Sequence, residues 1–105
     1  MLDLMQIKDA LEDIYNIEFK VMDMTYMEGQ ELVWQKGKDK VRVHIGHYTC
    51  KGREGQEFMD FDWWDGTTGL GSPCDSMEQL TGCFDRIKVP RRTVPRERRE
   101  QLSLF

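Results

Sequence analysis

Lys40-Val41-Arg42-Val43-His44-Ile45-Gly46-His47-Tyr48 is the stretch that decides the fold. Val41, Val43 and Ile45 point one way along an extended chain and Arg42 and His44 the other. That period of two belongs to a β-strand with one dry face. The pattern recurs downstream from Gln56 to Trp64, where Met59, Phe61 and Trp63 alternate with Asp60 and Asp62, after a turn at Lys51-Gly52-Arg53-Glu54-Gly55. Upstream, Lys36-Gly37-Lys38-Asp39 reads as a turn, and Glu31 to Gln35 carries Leu32, Val33 and Trp34. Glu28-Gly29-Gln30 is another turn, preceded by Ile17 to Met22 with Ile17, Phe19 and Val21 set against Glu18 and Lys20. Turns at this spacing predict an antiparallel meander of three to four strands, wet on one face.

Both flanks change period. Leu4, Ile7, Leu11 and Ile14 recur at three, four and three, which predicts a helix over about Asp3 to Tyr15. Asp3 with Gln6 has the form of a capping box, and Lys8 with Glu12 is an i,i+4 pair on the wet side. Beyond the strands, Asp65 to Pro73 is a loop by composition. Met77, Leu80, Phe84 and Ile87 then repeat the helical spacing over about Ser76 to Arg86, with Asp75 and Glu78 as the capping pair. The expected fold is α+β: an N-terminal helix, the meander, and a C-terminal helix packed on the same face of the sheet. Residues 1–88 are expected to make one small domain, and 89–105 a disordered, flexible basic tail.

The 105 residues hold 15 Lys and Arg, 19 Asp and Glu and a net charge of −4, unevenly spread. Residues 1–85 carry 17 acids against 8 bases, whereas 86–105 carry 7 bases against 2 acids. An acidic body thus joins a basic arm. No apolar run is long enough for a membrane span and no secretion signal opens the chain, so a cytoplasmic protein is expected. Cys50, Cys74 and Cys83 have no paired spacing, which favours free thiols in a reducing compartment.

Few residues carry chemistry. His44 and His47 are three apart on a strand and face opposite sides, so they cannot share a metal. No cysteine is placed with a histidine as a nucleophile pair, and the glycines from Gly66 to Gly71 lack the lysine of a phosphate loop. No catalytic residue, metal or cofactor is expected. Asp60 and Asp62 share a face about 7 Å apart, two rises of ~3.3 Å, with Asp65 and Trp64 beside them. Such a row could imitate the phosphates of a nucleic acid strand. Met22, Met24, Tyr26 and Met27 make an adaptable apolar patch.

The remaining feature is Gln101-Leu102-Ser103-Leu104-Phe105, apolar side chains carried on the polar, proline-punctuated stretch from Pro90 to Glu100. An apolar tip on a soluble tether has the physical form of a linear docking peptide. It resembles the motif, Gln-Leu-(Ser or Asp)-Leu-Phe, of bacterial proteins that dock on the DNA polymerase III β sliding clamp, and all five positions match. The resemblance covers only these five residues. It implies that Leu102, Leu104 and Phe105 fill an apolar pocket of the clamp while Gln101 hydrogen-bonds at its edge. Arg91, Arg92, Arg96, Arg98 and Arg99 would then lie near the phosphates of DNA threading the ring. The expectation is a non-enzymatic accessory factor of a phage or mobile element that recruits to, or modulates, replication or repair. The alternative is that the acidic body, through Asp60, Asp62, Asp65 and Trp64, occupies a nucleic-acid groove. Its partner would be a host nuclease such as a CRISPR effector, as for DNA-mimicking inhibitors that include some anti-CRISPR proteins.

Overall fold

A computed structural model describes residues 1–95. The alternating stretch is β3 (Asp39–His47), the centre of a sheet ordered β1-β2-β3-β4-β5 with every pair antiparallel. Its neighbours are β2 (Gln30–Lys36) and β4 (Glu57–Trp64), and the edges are β1 (Lys20–Asp23) and β5 (Gly69–Cys74). The β2–β3 hairpin is closed by Gly37-Lys38, and Gly37 has φ 61°. That is the first central position of a two-residue hairpin loop, where the strand twist demands a residue free to take positive φ.

Two helices cover one face. α1 (Leu4–Ile14) begins at Asp3, whose side chain accepts from the amides of Met5 and Gln6 at 2.9 and 3.3 Å. α2 (Met77–Arg86) begins at Ser76, whose side chain accepts from Gln79 N at 3.2 Å. The capping residue is therefore Ser76, not Asp75, whose own amide donates to Gln79 Oε1. Between the layers lie Ile7 and Leu11 of α1, Leu80 and Phe84 of α2, and Leu32, Val41, Val43, Met59 and Phe61 of the sheet. Phe84 is the hub: its ring stacks on Tyr15 at 5.2 Å and meets Phe61 and Phe19 edge-on at 5.3 and 6.1 Å. The α+β, single-face architecture is as the sequence pattern predicts.

Three local expectations are corrected. The sheet has five strands rather than three or four, because Gly69 to Pro73, read as part of a loop, joins Cys74 in pairing along β4 from Met59↔Cys74 to Trp64↔Gly69. Glycine and proline are tolerated there because β5 is an edge. Glu12, assigned to the wet side of α1, is 1% exposed. It binds Lys8 Nζ at 3.0 Å and accepts from Phe19 N at 2.7 Å, so it ties the helix to the chain entering β1.

The third correction concerns the expected tail. The chain is held to the body from Val89 to Arg92. α2 ends with Lys88 at φ 61°, with Val89 N on Phe84 O (3.1 Å) and Lys88 N on Asp85 O (3.0 Å). This crossed pair of bonds is a Schellman ending, and it turns Val89 inward, where it is buried. Arg91 then forms an antiparallel bridge with Tyr15: Asn16 N donates to Pro90 O at 3.0 Å and Arg92 N to Ile14 O at 2.8 Å.

Candidate functional site

Where the last described residues leave the fold, two arginines named as arm cations are spent on the body. Arg91 grips Asp85 with Nε at 3.1 Å and a second guanidinium nitrogen at 2.6 Å, and its head lies 5.4 Å from the Tyr15 ring centroid. The bidentate pair holds the Asp85 carboxyl below the usual carboxylate range. Tyr15 OH lies 2.9 Å from both Thr81 O and Asp85 Oδ1, and burial, then Asp85, push its ionisation well above the ordinary tyrosine value. Arg92 donates to Glu12 O, and also approaches Asn16 Oδ1 and Ile17 O at 3.5 Å. The expected cluster of five phosphate-facing arginines is thus divided. Arg91 and Arg92 clasp α1 and α2, while Arg96, Arg98 and Arg99, like Gln101, Leu102, Leu104 and Phe105, lie outside the described residues.

The face of the sheet away from the helices carries the acidic group. Asp60, Asp62 and Trp64 all project from it, as their alternation in β4 predicts. They are not a bare row of charge. Arg42 stands between Glu31 and Asp62 at 3.7 and 3.6 Å, and His44 Nε2 is 3.4 Å from Asp60 Oδ2. Burial raises the Asp60 pKa, with His44 acting against it. Asp65 lies beyond the end of β4, and its Oδ1 accepts from Thr67 N and Thr68 N at 2.8 and 2.6 Å. These backbone donors hold it below the usual carboxylate range and make it the cap of a turn. Trp64 is half-exposed, with its ring laid over Gly69, where a Cβ would sit 2.9 Å from it.

Around the molecule, His44 and His47 face opposite ways, paired respectively with Asp60 and Glu57. In the methionine patch Met22, Tyr26 and Met27 are exposed, while Met24 and Met27 help line a 590 Å³ groove beside Leu4 and Ile45. Among the described residues no three His, Cys, Asp or Glu side chains gather as ligands for a metal. No helix there is long and apolar enough to cross a membrane.

Sequence spacing missed one constellation. Cys74, ending β5, and Cys83, on α2, bring their sulfurs to 3.7 Å. They stand in the wall of a 530 Å³ cleft that Arg53, Asp75, Gln79 and Arg86 also line. Arg53 pairs with Asp75 at 2.9 Å and covers the Tyr48 ring at 3.9 Å, and Tyr48 OH donates to Asp75 at 2.8 Å. Nine positions separate the two cysteines across a strand end and a helix, so no local pattern announces the pair. No family model, no curated protein and no solved structure matches this chain.

Proposed function

We propose that this protein acts by binding, not catalysis, and docks on the bacterial DNA sliding clamp through Gln101-Leu102-Ser103-Leu104-Phe105. The observation that carries the reading is the pentapeptide itself, which matches the clamp-binding pattern at every position. Leu102, Leu104 and Phe105 enter an apolar pocket, each worth about 1.5–3 kcal/mol when buried. Ordering the peptide takes part of that back, which leaves micromolar binding of roughly −8 kcal/mol. With Arg91 and Arg92 engaged on the body, the DNA-facing role falls to Arg96, Arg98 and Arg99. A phage or mobile-element factor that borrows the clamp, or blocks its other clients, fits this form.

Titration of purified bacterial sliding clamp by calorimetry tests the proposal. Wild-type protein is expected to bind at micromolar concentration. Leu104→Ala with Phe105→Ala should remove about 3–5 kcal/mol of binding, and Ser103→Ala should change little. Absence of wild-type binding at tens of micromolar, or equal binding by the double variant, would end the clamp reading. The groove-occupying alternative is the weaker one, because Arg42 stands between Glu31 and Asp62 and offsets part of the negative charge it needs. It would be favoured by a nuclease partner whose binding ignores the pentapeptide and collapses with salt.

A further inference from the structure

We propose that Cys74 and Cys83 are a dithiol modification site, closed into an intramolecular disulfide by anionic low-molecular-weight disulfides such as glutathione disulfide that enter the cleft beside them. The sulfurs already touch at 3.7 Å, and a disulfide needs about 2.0 Å, a movement that small side-chain rotations on β5 and α2 can share. The two thiols differ in access: Cys74 is buried, Cys83 only partly so. Burial pushes the Cys74 thiol up to about 12, so it is a poor first nucleophile. Cys83 attacks. Arg86, which lines the same cleft three residues on along α2, supplies positive charge for an incoming carboxylate-bearing disulfide, while the charge of Arg53 is met within the cleft by Asp75.

The chemistry balances in two exchanges. The Cys83 thiolate displaces one thiolate from the small disulfide and forms a mixed disulfide. Cys74, giving its proton to solvent, then attacks the Cys83 sulfur and expels the second small thiolate. Two protein thiols lose two electrons and two protons, and one disulfide becomes two thiols. The bond fastens α2 to β5. Since Thr81 and Asp85 of α2 hold Tyr15, and Asp85 holds Arg91, it also stiffens the helix from which the chain departs.

Full-length protein carrying Cys50→Ser, which removes the exposed third thiol, is incubated under native conditions with glutathione disulfide and read by intact mass and peptide mapping. The expected product has lost two hydrogens, yields a linked Cys74–Cys83 peptide and melts higher by on the order of 10 °C. Adding Cys74→Ala should stop the reaction at a stable Cys83–glutathione adduct. Adding Cys83→Ala should leave Cys74 unmodified. Cystamine, a cationic disulfide, should react about tenfold more slowly, and Arg86→Ala should narrow that difference. Should the folded Cys50→Ser protein stay unmodified, or keep glutathione on Cys83 while Cys74 remains alkylatable, the dithiol site is overturned. Equal rates with the two disulfides would overturn the assigned anionic class.

Discussion

Asp85 is where three separate parts of the chain meet: its own helix, Tyr15 at the end of α1, and Arg91 beyond α2. Because Arg91 holds the carboxyl below its ordinary range, Asp85 stays ionised in the fold at pH values where the unfolded chain, near 3.9, has taken a proton. The linkage has a definite sign. The stability contributed is fully present above the unfolded value and drains away as pH falls through the lowered folded one. Asp85→Asn should therefore melt below wild type at pH 7, and the two should converge towards pH 2. Thermal melts across that range check it; a gap unchanged by acid would mean the contribution is not ionic. Asp60 runs the other way. Its pKa is raised by burial, so it favours the fold in acid and costs stability as pH rises through its folded value.

At the scale of the element, the end of α2 is informative because it uses an unfavourable residue. Lys88 occupies the left-handed position that glycine normally fills, at φ 61°, and the Schellman bonds hold it there. Lys88→Gly should stabilise the protein by about 0.5–1 kcal/mol, relieving the Cβ of that conformation. A shift of the denaturant midpoint at constant slope would show it; a loss instead would mean the Lys88 side chain contributes more than its backbone costs. The same position explains what the sequence concealed. α1 was legible because its cap at Asp3 and its apolar stripe are local signals. Where α2 stops was legible too, but the path of the chain beyond it was not, because without a glycine at 88 nothing marks the turn that buries Val89. β5 was hidden for a different reason: Gly69, Gly71 and Pro73 have no strand preference of their own, and only pairing with β4 makes them one. The pentapeptide is readable in the sequence alone, whereas the Cys74–Cys83 pair exists only once strand and helix are folded together.

For the whole molecule, the boundary of the folded unit moves from Lys88 to the neighbourhood of Arg92. A chain truncated after Pro95 should melt within a few degrees of the full-length protein. One truncated after Lys88 should lose roughly 2–4 kcal/mol, the burial of Val89 plus several hydrogen bonds. Calorimetric melts of both chains decide it: equal stabilities would return the boundary to Lys88, and a large loss after Pro95 would place 96–105 in the fold. The clasp also has a mechanical meaning. If tension is applied to the chain beyond Pro95, the described residues that meet it are Arg92 and Arg91, whose bonds to Ile14, Glu12 and Asp85 share the load between two helices. The core beneath Phe84 is spared until that anchor tears, so the body can be towed without being unravelled.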